Sequence, residues 1–384
     1  MSTSAAEETS PSPTPEPPRT SARSTAAASP AKAAIGVVGL VVTIAVVGTL
    51  FQAITLYDVP KLLQAVLAIV GGVGGAIMLF YFINMMVEAL PLRLSIKVIP
   101  YAFILPAFGL LTAFLIYPTV QTIIYSFANR DSTAWVGLQN YVDVLTDAEF
   151  VNAITNTLLW LAIVPAVTVV IGVVVAVLAD KLSPTWEKIA KSVIFLPMAI
   201  SMVGAATIWR FIYAFAPEGR PQIGLLNAFW TTLGFDPVSW LQTSAFNFND
   251  VLLMVILIWL QAGFAMVLLS AAIKGVPEET VEAARIDGAN EVKIFFQVVI
   301  PQIRGTIIAV FITVLLMVLK VFDIVYVITA GNFETNVIAV SFIQQIFQFG
   351  QNGLASAIVV ILLVAVLPVL YWQIRHFREE EANR

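Results

Sequence analysis

Eight stretches of this 384-residue chain run for about twenty residues or more with almost no charge, and they limit its fold more than any other feature. They lie at roughly 35–56, 63–86, 99–126, 155–179, 193–213, 251–273, 306–328 and 355–374. In hydrocarbon only a helix or a closed barrel satisfies every backbone N–H and C=O, and each run is long enough for one helical crossing. Hydrophobic residues make up 59% of the chain and charged ones 11%, with mean hydropathy +0.91, which excludes an ordinary soluble domain. The expected fold is all-α, a polytopic membrane protein of about eight transmembrane helices set in a lipid bilayer.

Lysine and arginine orient the spans. With the N-terminus inside, cytoplasmic segments hold 15 of the 20 basic residues, among them Arg93, Lys97, Lys181, Lys191, Lys274, Arg285 and Lys293. Both termini then face the cytoplasm, and so does the segment 277–301. Residues 1–30 contain seven Ser, five Thr and six Pro, so 1–32 reads as a disordered tail. No apolar core with a small-residue cleavage site opens the chain, so this is not a signal peptide. Without Cys there is no disulfide, thiol nucleophile or thiolate metal site. A net charge of −4 argues against nucleic acid as a partner.

Segment 277–301, PEETVEAARIDGANEVKIFFQVVIP, reads as two short helices and a turn. Pro277 suits a first helical turn, and Glu278 and Glu279 stand where the helix dipole favours negative charge. Gly288 supplies the left-handed residue that closes the first helix. Asn290 can cap a second helix, which Pro301 is expected to end. Val281, Ala284, Ile294, Phe295 and Val298 can bury, while Glu282, Arg285, Asp287, Glu291 and Lys293 need water or a partner. Such a unit lies on a membrane and meets something.

The spacing Glu282-Ala283-Ala284, then Asp287-Gly288 and Ile300-Pro301, resembles the EAA loop of type I ABC-importer permeases. Val298 and Ile300 stand where Ile and Leu are usual. In that family the loop is a coupling helix seated on a cytoplasmic ATPase subunit. The resemblance covers about 98–384 and leaves the spans in 33–97 as accessory helices. It implies ABC ATPase subunits, a second permease subunit, an extracytoplasmic solute-binding protein and a bacterial cytoplasmic membrane. ATP and Mg would be held by the ATPase, since this chain has no Walker A sequence and is expected to bind no cofactor or metal. The eight-span count fits the larger member of a heterodimeric sugar permease.

Polar groups within spans are costly in lipid and therefore informative. Gln261 lies mid-span with Trp259 and Phe264 on nearby turns, and an amide beside aromatic faces suits a sugar. By resemblance, Met198, Met202, Gln261 and Phe264 match positions that line a midplane sugar site, with Leu257 and Leu260 close by. Leu257 and the positions around Val318 and Val321 are apolar where some members carry Asn. Lys320 and Asp323, at i,i+3 in the seventh window, are expected to form an ion pair within the span. Arg210 stands at the outer end of its window, where it can snorkel to the interface. VFDIVYVITAGNFETNVIA has Gly331-Asn332-Phe333 in place of a GGP and resembles the α-glucoside branch, and the substrate is expected to be neutral because the path holds no unpaired charge if Lys320 and Asp323 satisfy each other. The outer segment VGLQNYVDVL also resembles sugar permeases.

An enzyme finds little support. The only His, His376, stands in the basic C-terminal tail, and no span carries a Ser/His, paired-carboxylate or His-metal constellation. A secondary, ion-coupled transporter is the rival reading, since it too would place polar groups and broken helices near the midplane. It has no use for an EAA loop.

Overall fold

The computed structural model describes residues 29–57, 60–217 and 219–382, so 1–28 of the expected disordered tail 1–32 and the His376 side chain lie outside the described residues, while 30–32 already belong to the first helix, which Ser29 caps. Apart from one isolated bridge, Ala128 to Trp135, regular structure among the described residues is helical. The chain divides into two compact units, Met1–Pro118 and Thr119–Arg384. The sequence places this boundary nearer residue 97. It falls later because the third helix packs on the second, with the Phe80 and Phe103 rings stacked 6.1 Å apart.

In the first unit α1 (Pro30–Leu56) and α2 (Lys61–Glu88) form an antiparallel pair. Glycines set their separation. A Cβ on Gly71 or Gly75 of α2 would collide with Leu50 or Val47 of α1, and one on Gly36 or Gly39 with Met86 or Phe82. Gly72 and Gly74 face open space, so only half of the GGVGG run serves this contact. Next comes α3 (Leu92–Leu111), followed by a π-turn at Thr112–Ile116 and by α4 (Tyr117–Tyr125).

The second unit holds α5 (Gln139–Thr146), α6 (Ala148–Asp180), α7 (Pro184–Phe195), α8 (Met202–Ile212), α9 (Leu225–Thr232) and α10 (Phe248–Lys274). Beyond them are α11 (Glu278–Ile286), α12 (Glu291–Ile294), α13 (Ile300–Gln302), α14 (Arg304–Val318), α15 (Asp323–Ile328), α16 (Ile338–Ile343) and α17 (Asn352–Ala382). The core forms around α10, whose most apolar window is 56% buried. Helix α6 lies against it. A Cβ on Gly172 would stand 2.7 Å from the Ala265 Cβ and 3.1 Å from backbone, so only glycine permits this approach.

Six described helices are long and apolar enough to cross a membrane, or eight if each of two bent pairs is one span. Those pairs are Pro184–Ala199 with Met202–Ile212, bent by 101°, and Glu291–Gln302 with Arg304–Val318, bent by 70°. The fifth window of the sequence is thus a broken span, with a 3-10 turn around Pro197. The seventh window also stops short: α14 ends at Val318 and a separate helix begins at Asp323.

Candidate functional site

The hairpin at 277–301 is built much as its residues dictate. Helix α11 starts after Pro277 and ends at Ile286, with Asp287 as its C-cap and Gly288 at φ +80°. The Gly288 N–H donates to the Arg285 carbonyl and the Ala289 N–H to the Ala284 carbonyl, both at 3.0 Å, which is a Schellman closure. Asn290 caps α12 by accepting from the Lys293 N–H at 2.8 Å. Pro301 does not end the second arm. A π-turn at Phe295–Val299 runs on into α13, which carries Pro301, and the break follows Gln302.

Arg285 and Glu291 are each other's partner across the turn, in two bonds of 2.9 and 3.3 Å. The carboxylate bonded to it raises the guanidinium's proton affinity above the usual. Ile294 is buried, and Val281, Ala284, Phe295 and Val298 are half-buried, as patterned. Glu282, Ala283, Asp287, Gly288 and Pro301 are exposed. So are Ile286 (86%), Val292 (66%) and Phe296 (64%), three apolar side chains that helical patterning did not single out. Large apolar groups exposed on a charged hairpin are the composition of a surface made to be covered.

A second group gathers at the break between α7 and α8. Met198 sits in the 3-10 turn Leu196–Ala199, and Met202 opens α8, where Ser201 caps by accepting from the Gly204 N–H at 3.1 Å. The break lies on α10. Gly263 is what admits it: a Cβ there would stand 2.6 Å from the Phe195 Cα. Gln261 is 5% exposed, and its Oε1 is buried with no hydrogen-bond partner. A buried acceptor left without a partner costs about 1–3 kcal/mol. Phe264 is half-buried.

Two expectations fail here. Leu257 and Leu260, at 0% and 2% exposure, are enclosed in the core and offer no surface to a pathway within this chain. Lys320 and Asp323 form no ion pair, because the helix ends between them; Lys320 is exposed and Asp323 half-buried at the start of α15.

Two further features take shape only in the fold. Asp180 at the end of α6, Glu187 and Lys191 on α7, and Ser270 and Lys274 on α10 form one ionic cluster. Lys191 Nζ lies 2.8 Å from Asp180 and 2.5 Å from Glu187. It also donates to Ser270 Oγ, which in turn donates to Asp180 at 3.0 Å. Lys274 pairs with Glu187 and stands 3.6 Å from Asp180. At the other end of the unit, residues 329–336 form a strained loop, with Ala330, Phe333 and Glu334 at φ +53°, +59° and +66°. Amides from two helices hold it: Asn156 of α6 donates to the Glu334 and Asn336 carbonyls, and Asn249 of α10 to the Phe333 carbonyl. Beside it is a cavity of about 530 Å³ lined by Arg210, Tyr213, Trp240, Gln242 and Phe333 among others.

Residues 168–378 match the family described as binding-protein-dependent transport system inner membrane component. The osmoprotective compounds uptake permease protein GgtC of a Synechocystis strain is 49% identical over 282 residues, covering 73% of this chain and 100% of that protein. The alpha-glucoside transport system permease protein AglF of Rhizobium meliloti is 43% identical over 337 residues, 84% of this chain and 99% of that one. Among solved structures, a bacterial ABC transporter involved in the import of the acidic polysaccharide alginate superposes with a TM-score of 0.64 at 23% identity. It covers 74% of this chain and 99% of that one, and shows the fold.

Proposed function

The chain belongs to the family of inner-membrane components of binding-protein-dependent transport systems, and on that premise we propose that it is the permease subunit of an ATP-driven importer for a neutral α-glucoside or similar small polyhydroxylated solute. The observation that carries the reading is the 277–301 hairpin: a rigid Schellman turn presenting Glu282, Ala283, Asp287 and the apolar Ile286, Val292 and Phe296 outward. Separate ATPase subunits would seat on that surface and drive it when they close on ATP. A second permease subunit would complete the solute path, and an external binding protein would deliver the solute. Both termini would lie in the cytoplasm.

Gln261 Oε1 is as enclosed here as Leu257 and Leu260, so it would meet a solute only once the break moves; as an unpartnered acceptor next to the half-buried Phe264 it suits a neutral substrate. An amide acceptor takes a sugar hydroxyl, and an aromatic face packs against the ring. Relatives named for osmoprotective compounds and for α-glucosides point the same way. Gln261→Ala is expected to lower uptake several-fold, the equivalent of about 1 kcal/mol for one hydrogen bond, with assembly unchanged. Phe264→Ala is expected to do at least as much harm. Uptake by proteoliposomes containing the whole complex, across trehalose, sucrose, maltose and an anionic oligosaccharide, is the measurement. Normal transport by both variants would place the solute elsewhere.

A further inference from the structure

The ionic cluster of Asp180, Glu187, Lys191, Ser270 and Lys274 lies where three helices converge at the root of the hairpin. Its two carboxylates and two ammonium groups cancel, and Asp180, Glu187 and Lys191 are no more than 20% exposed. Well-packed apolar groups could hold three helices together as firmly; what fully paired charges can add is a fixed register. Lys191 is central, since its ammonium meets Asp180, Glu187 and Ser270 at once and so engages all three donors.

Helix α7 meets α10 again farther along, where Gly263 lets Ile194 and Phe195 come against it. It is therefore pinned to α10 at both ends. From Lys274 the chain reaches α11 through Gly275, Val276 and Pro277 alone. A connector so short has little slack to absorb a displacement of the hairpin. The far end of α7 is the break that carries Met198.

We propose that Lys191 and Glu187 are positioning residues that fasten the coupling hairpin to the broken span, so that α7 and the adjoining end of α10 move as one lever. Displacing the hairpin then displaces Leu196–Ser201. This rests on the reading of 277–301 as the segment driven by the ATPase, and the experiment separates the two.

The chain has no Cys, so Ala199→Cys, at an exposed position in the break, gives a unique label on it. The whole complex, purified through this chain into lipid nanodiscs, is treated with a water-soluble maleimide with and without AMP-PNP and Mg. The nucleotide is expected to change the labelling rate by about tenfold, within the usual range of coupling between sites. Adding Lys191→Met is expected to abolish that change while ATP hydrolysis continues, and Lys191→Arg to restore it. A purely structural role would instead lower assembly and hydrolysis together. A nucleotide response that survives Lys191→Met overturns the lever. Glu282→Lys distinguishes the two failures: if it also leaves the response intact, the hairpin reading falls, and if it alone removes it, only the lever falls. Should Lys191→Met not assemble, Glu187→Gln carries the same test. If neither assembles, the cluster is a folding element and the proposal is lost.

Discussion

The pair α1 and α2 and the pair α6 and α10 are nearly equal in hydropathy and opposite in what they do with it. Their most apolar windows average 2.5 and 2.3 in the first pair, 2.9 and 2.6 in the second. Yet those windows are 6% and 0% buried in the first pair, 33% and 56% in the second. Both pairs rely on glycine for close approach. The first meets mostly side-chain tips and rings, with backbone near only at Gly36, and among the described residues no polar side chain of the two helices is buried. The second meets backbone, and it carries Asn156, Asn249, Gln261 and Ser270 as buried polar groups on the same helices. Hydropathy says that a helix enters lipid; buried polar groups say where a membrane protein works.

The largest expected effect follows from the contact at Gly172. Gly172→Leu forces a side chain into Ala265 and the α10 backbone, neither of which can yield, and should cost more than ~3 kcal/mol. Loss of folded protein by size-exclusion fluorescence is the expected readout, and a well-folded variant would remove α10 as the organising helix. Gly71→Leu makes the paired test in the first unit. The added side chain meets the end of Leu50, which can rotate away, so a cost of at most ~1 kcal/mol is expected, seen as a small drop in melting temperature. Equal damage from the two substitutions would erase the contrast. The smallest effect is expected from removing residues 1–90. Uptake by the complex should stay within about twofold of the full chain, since no buried polar group of the path is lost. A collapse of transport would make the first two helices part of the machinery.

How far the sequence discloses this molecule depends on the distance over which each feature is written. The hairpin is local: Gly288, Asn290 and the apolar spacing around them determine its turn, its cap and its buried side. The spans are local too, since twenty residues of hydropathy suffice. The breaks are less legible, because averaging over a window erases a turn of six residues, and Pro197 alone is compatible with a mild kink. That averaging also placed Lys320 and Asp323 on one continuous helix. The ionic cluster was legible only in part: Glu187 and Lys191 are spaced i,i+4, but only the fold brings Ser270 and Lys274, some eighty residues on, to them and to Asp180. Leu257 and Leu260 failed for another reason. Resemblance carries positions across, but it cannot tell whether an aliphatic side chain there turns into the core.

The break between α7 and α8 bears on how the protein is made. At Leu196–Ser201 the chain leaves the helix, with Leu196, Met198, Ala199 and Ser201 exposed on the subunit. Backbone amides outside a helix are tolerated at membrane depth only where protein or water covers them, and each uncovered one costs several kcal/mol. On the proposed pairing with a second permease subunit, a newly inserted copy would be unfinished until that subunit shields the turn. Cells producing this chain in excess should then clear the surplus by membrane proteolysis, so its abundance would follow that of the proposed second subunit rather than its own rate of synthesis.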